Sequence, residues 1–102
     1  MITTVRSIAI APGKGKEALA WAVKAANYIS GLTGITVVVL RNLSGSLNQV
    51  HWVASHDSMA AFEAYVQKRE ADAGFQKMVE EVIQLGLFDL DSLEDSFYQR
   101  VE

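Results

Sequence analysis

The chain has no cysteine, which excludes disulfides, thiol nucleophiles and thiolate metal sites. Proline occurs once, at Pro12. Basic residues are few and scattered: nine Lys and Arg stand against twelve Asp and Glu, for a formal charge of -3. No run resembles a basic arm, and a non-specific nucleic-acid binder needs a dense Lys/Arg footprint. Long apolar runs are also missing. The strongest, Ile35 to Leu40, falls far short of the ~20 residues of a membrane span. The opening Met1-Ile-Thr-Thr-Val-Arg lacks the basic region and apolar stretch of a signal peptide. These absences set the expectation of a cytoplasmic protein with neither nucleic acid nor membrane as partner.

What is present is an ordinary globular balance, 50% hydrophobic and 21% charged over 102 residues, enough for one domain spanning 1–102 and too short for two independent cores. Ile2 to Ile10 is rich in β-branched residues and reads as a strand that stops at Ala11-Pro12-Gly13. From Lys14 or Gly15 to about Ser30, Ala18, Leu19, Ala22, Val23, Ala26 and Ile29 recur at helical spacing. Gly31 and Gly34 end that helix. Ile35 to Arg41 predicts a second strand, so apolar that it should be buried on both faces. Ser44-Gly45-Ser46 turns the chain into a third strand, from Leu47 or Asn48 to Ser55. Asp57 or Ser58 can cap a helix with an inner stripe of Met59, Phe62 and Val66. Ala71 to Gly74 reads as a break, with Asp72 a cap for a further helix carrying Phe75, Met78, Val79, Val82 and Leu85. Leu93 to Val101 predicts the last strand.

Strand, helix, strand, strand, helix, strand is the order of two βαβ halves sharing one antiparallel sheet, an α+β ferredoxin-like βαββαβ sandwich. The helices cover one sheet face. The other carries Ile, Val and Trp side chains whichever way each strand is phased, more apolar surface than a monomer usually leaves wet. The simplest cover is a second copy related by two-fold symmetry, a homodimer through the sheet face.

Two stretches resemble a known family. Ile2-Thr-Thr-Val-Arg-Ser-Ile-Ala-Ile-Ala-Pro-Gly-Lys14 is similar to the opening strand and Pro-Gly-Lys turn of NIPSNAP-like proteins. Trp52-Val-Ala-Ser-His-Asp-Ser-Met-Ala-Ala-Phe-Glu63 resembles their passage from an aromatic strand into a D-S-x-x-A-F-E helix start. The resemblance implies a dimeric α/β barrel, in a group that includes antibiotic-biosynthesis-type monooxygenases and stress-response proteins.

The candidate ligand-binding residues are Arg6, His51, Trp52 and Tyr98. Arg6 interrupts an apolar strand, and a guanidinium there must reach a carboxylate, solvent or an anionic ligand; an ion pair or a dimer contact is the plainer outcome. His51 and Trp52 are adjacent and point to opposite faces. His51 is a candidate base, while Trp52 suits a core or interface. Tyr98 alternates with Ser96 and Arg100, and Arg6, His51 and Tyr98 are expected to share a polar pocket. His51 and His56 also fall on opposite faces, so a metal site is not expected. Trp21 and Tyr28, seven apart on a polar helix face, suit either a contact surface or cover by neighbouring segments.

Two function classes follow. One is a homodimeric protein binding a small hydrophobic or aromatic molecule, without chemistry. The alternative is a cofactor-independent monooxygenase of the antibiotic-biosynthesis type, whose aromatic substrate itself activates oxygen and needs mainly positioning and deprotonation. Haem-degrading members of the fold group pair a strand Asn and Trp with a helix His. Here Ile2 to Ile10 has no Asn and the expected helices no His, so no cofactor is expected.

Overall fold

The computed structural model describes residues Met1–Glu102. Seven elements follow in order: β1 (Ile2–Ile10), α1 (Gly15–Thr33), β2 (Val38–Arg41), β3 (Gln49–His56), α2 (Met59–Ala71), α3 (Ala73–Leu85) and β4 (Phe88–Gln99). The strands form one sheet of order β2-β3-β1-β4 with every neighbour antiparallel. This is the ferredoxin-like arrangement, with the second crossover split into two helices. No helix is long and apolar enough to cross a membrane.

Helix α1 runs through Gly31 and ends at Gly34, whose φ of 76° places it in the left-handed region while its N–H closes on Ser30 O at 2.9 Å. Its buried line is Ala18, Ala22, Ala25, Ala26 and Ile29. Alanines there let the helix lie close to the sheet. Strand β2 is shorter than the expected Ile35–Arg41. The Ile35 N–H bonds Thr33 Oγ1 at 3.1 Å and the Val37 N–H bonds Ser30 Oγ at 3.0 Å. Those donors are spent on the end of α1 instead of on β3.

Ser58 caps α2 by accepting from the Ala61 N–H at 3.1 Å. The inward side of α2 differs from the expected Met59, Phe62 and Val66. Met59 is exposed, whereas Tyr65 and Arg69 are buried. Asp72 ends α2 and begins α3, accepting from the Phe75 N–H at 2.8 Å and from the Tyr28 hydroxyl of α1 at 2.5 Å. Gly74 makes that second bond possible, since a Cβ there would collide with the Tyr28 hydroxyl. Asp72 is thus the joint of all three helices, and the Tyr28 and Phe75 bonds hold its carboxyl below the usual carboxylate range. Asp72→Ala is expected to lower the melting temperature, and Asp72→Asn, which keeps the capping oxygen, to recover most of it in thermal unfolding.

The last strand begins earlier than Leu93. Phe88 and Asp89 pair with Ile10 and Ala9, then the register shifts between Ser7 and Ala9 before pairing resumes from Glu94 opposite Ser7. Ser92 fills the irregular stretch: its Oγ accepts from the Ala9 N–H at 2.8 Å and donates to Asp89 O at 2.6 Å.

The apolar interior is divided. One cluster gathers Ile8, Ala18, Ala22, Val50, Val82, Leu87 and Phe88; another gathers Ala26, Ile29, Val37, Ala54 and Tyr65. A domain of this size ordinarily has one contiguous core. Here two cores flank a space.

Candidate ligand-binding cavity

The space between helices and sheet is a cavity of about 160 Å³, lined by 20 residues of which 16 are hydrophobic. Strand alternation decides who reaches it. Arg6 stands opposite Trp52 on β3 and opposite Asp95 on β4, so these three share a face. That face is the one beneath the helices, and Thr4, Arg6, Ile8, Trp52, Asp95 and Phe97 all line the cavity. The register irregularity at Ser7 and Ala9 brings Leu90 and Leu93 to it as well.

The aromatic walls are mutually packed. Trp21 of α1, Trp52 and Phe88 meet edge to face at centroid separations of 6.4, 5.9 and 6.0 Å. The Trp52 indole donates to Ala22 O at 3.1 Å, fixing the ring against α1. Phe62 of α2 meets Phe97 of β4 at 5.0 Å. Trp21 therefore faces inward, and Tyr28 is tied to Asp72; segments of this chain engage both aromatics.

Charge enters through two arginines. Arg6 Nε and Nη2 grip Asp95 in a two-pronged pair at 2.8 and 2.9 Å. That pair holds the Asp95 carboxyl below its ordinary range and raises Arg6 further. With both side chains more than a third exposed (37% and 42%), its effect on stability is that of a surface ion pair, roughly 0.2–1 kcal/mol. Arg69 is different. It is 8% exposed, and its guanidinium lies 5.5 Å from the Tyr65 ring and 5.8 Å from that of Phe75. Its Nη2 reaches Glu70 Oε1 at 3.2 Å, while its Nε is buried without a partner.

The four sequence candidates divide between the two faces. Arg6 and Trp52 line the cavity. His51 and Tyr98 lie on the opposite, open face of the sheet, because His51 neighbours Trp52 on β3 and Tyr98 pairs with Thr3. The expected polar cluster of Arg6, His51 and Tyr98 therefore does not form. His51 instead joins a chain of its own. Its Nε2 lies 2.6 Å from Asn42 Oδ1, which only accepts, and its Nδ1 lies 2.6 Å from the Ser7 hydroxyl. No three His, Asp or Glu side chains are grouped to hold a metal ion.

Sequence reasoning missed Arg69. Its signal was available: Phe62, Tyr65, Val66 and Arg69 follow the i, i+3, i+4, i+7 spacing of one helix face, and an arginine on an apolar stripe is out of place.

Comparison with known proteins agrees with this geometry. The family model described as NIPSNAP matches residues 3–94. The chain belongs to the NIPSNAP family. A search of curated proteins found no match. Among solved structures, an uncharacterised NIPSNAP domain protein from Burkholderia xenovorans is 20% identical with a TM-score of 0.82, covering 99% of this chain and 95% of that one. A NIPSNAP family protein from Agrobacterium tumefaciens is 19% identical with a TM-score of 0.82, covering 99% and 93%. A variant of SnoaB, a cofactor-independent oxygenase from Streptomyces nogalater, is 17% identical with a TM-score of 0.69, covering 99% and 93%. At such identities the likeness is one of fold. This NIPSNAP chain shares its architecture with an oxygenase, and the residues of its own cavity must carry any functional argument.

Proposed function

We propose that this NIPSNAP protein is a homodimeric cytoplasmic binder of a small aromatic or hydrophobic molecule, held between the helices and the sheet. The observation that carries the reading is the aromatic cavity that splits the core. Native proteins pack their interiors to crystal density, and an apolar space of about 160 Å³ is of the size that accepts a benzene-sized guest. The space opens along β4, where Leu90, Leu93 and Phe97 of its lining are about half exposed, apolar surface that a bound guest would cover.

Support for the homodimer comes from the open face. Val38 is 47% exposed, Leu40 50% and Tyr98 58%, and by register Val5 and Val53 lie on the same surface. A second copy seated there, two-fold related, would shield these side chains and the His51 chain together. Native mass spectrometry tests both parts. A dimer of twice 11.2 kDa that takes up indole or naphthalene at micromolar concentration is expected; a monomer removes the homodimer, and a dimer indifferent to every such probe removes the cavity reading. Leu40→Asp, which sets a charge in the middle of the proposed interface, is expected to leave a folded monomer or to weaken dimerisation by at least about 100-fold in sedimentation.

The alternative is a cofactor-independent monooxygenase, favoured by the fold shared with SnoaB and by the aromatic lining. It requires oxygen uptake that depends on an electron-rich aromatic substrate and falls in Arg6→Ala, whose side chain lines the cavity. The binder reading expects no such uptake.

A further inference from the structure

Two residues that line the cavity each carry a polar atom buried behind its wall with no partner: Arg69 Nε and Trp21 Nε1. Both are donors and neither can accept. Of the charged residues lining the space, Arg6 and Asp95 satisfy one another through two hydrogen bonds. Arg69 remains. Its contact with Glu70 is through Nη2 alone, at 3.2 Å, and the Glu70 side chain is 62% exposed, outside the lining. The lining thus holds two guanidiniums and a single carboxylate, Asp95, whose hydrogen bonds go to Arg6 and which Arg69 meets only through its field. A buried, under-paired cation is costly, and arginine suits carboxylate recognition because its planar fork stays charged at any working pH.

We infer that the ligand of this cavity is an aromatic carboxylate, its ring held against the Trp21, Trp52 and Phe88 cluster and its carboxylate accepting from Arg69. This rests on the cavity being a ligand site, and deepens it by assigning the ligand's charge. A volume of about 160 Å³ limits the buried part to about one six-membered ring. A neutral hydrocarbon would leave the Arg69 charge unanswered.

The test is calorimetric titration of the full chain with phenylacetate and phenylacetamide, a pair alike in shape and unlike in charge. Phenylacetate is expected to bind roughly tenfold more tightly or better, the usual advantage of a charge-assisted hydrogen bond over a neutral one. Arg69→Met, which keeps the length and apolar stem, is expected to erase that preference, phenylacetate losing about tenfold more affinity than phenylacetamide. Equal binding of acid and amide to the native chain would overturn the carboxylate assignment and leave the cavity reading standing. A preference that survives in Arg69→Met would also overturn it, by moving the anion to Arg6. Binding of neither probe would overturn the cavity reading and this assignment together. The acid-to-amide ratio in the native chain decides even if the variant fails to fold.

Discussion

Trp52→Ala is expected to cost about 3–5 kcal/mol of folding stability. That is a large share of the 5–15 kcal/mol available to a domain of this kind. Trp52 and Val39 are the two side chains packed against both core clusters. Removing the indole therefore severs two half-cores instead of thinning one. It deletes the edge-to-face contacts at 6.4 Å to Trp21 and 6.0 Å to Phe88, and the indole N–H bond to Ala22 O at 3.1 Å. Trp52→Phe keeps a ring in place and should lose less, about 1–2 kcal/mol. Urea titration of the native chain and both variants measures the series. A Trp52→Ala loss under about 1 kcal/mol would mean that the clusters are held together elsewhere.

The same residue shows how far the sequence could be read. Period-two and helical spacings located the strands and helices, because those patterns are local. β1 coincides with Ile2–Ile10, and Asp72 caps α3 as its position before Phe75 suggests. The uncertain ends were those decided by distant partners. Phe88 joins β4 because Ile10 pairs with it across the register shift, while the adjacent polar residues Asp91 and Ser92 put Phe88 and Leu90 out of phase with Leu93 and hide them from the alternation. Residues 35–37 look like strand, yet Ser30 and Thr33 take up two of their donors.

The candidate site depended on the same long-range information. A single strand tells which residues share a face and not which face lies under the helices. Arg6 and Trp52 meet in the cavity because β1 and β3 pair with 6 opposite 52, and His51 and Tyr98 fall outside because that one register is shared around the sheet. The apolar run Ile35 to Leu40 was expected to be buried on both faces. In one chain Val37 and Val39 turn toward the helices, while Val38 and Leu40 stay exposed. The run reads as two-sided, and only the side facing the helices is covered by this chain itself.

His56→Phe should stabilise the protein, by on the order of 1 kcal/mol at neutral pH, and by more in mild acid. His56 is 2% exposed and both ring nitrogens are buried without partners. Its neighbours are the Phe62 ring at 5.2 Å and the Tyr65 ring at 4.8 Å, so a phenyl group keeps the packing and removes the desolvated polar atoms. Burial pushes the imidazole below its ordinary value. In the unfolded chain it titrates near about 6.5. Between that pH and the lower folded-state value, the unfolded chain binds more protons, and acid favours unfolding. The stability that goes with a neutral His56 is therefore complete above about 6.5 and is lost as pH falls through the folded-state value, by at most about 1.4 kcal/mol per pH unit. Asp95, whose carboxyl the Arg6 bonds hold low, loses its contribution only in stronger acid, below about 4. Urea unfolding of the native chain and of His56→Phe at pH 7, 6 and 5 isolates the histidine, since every other titration cancels in the difference. The gap should widen toward pH 5. A gap that stays constant would mean that the buried ring does not take up its proton on unfolding, and a destabilised His56→Phe would mean that the ring nitrogens find partners in solution.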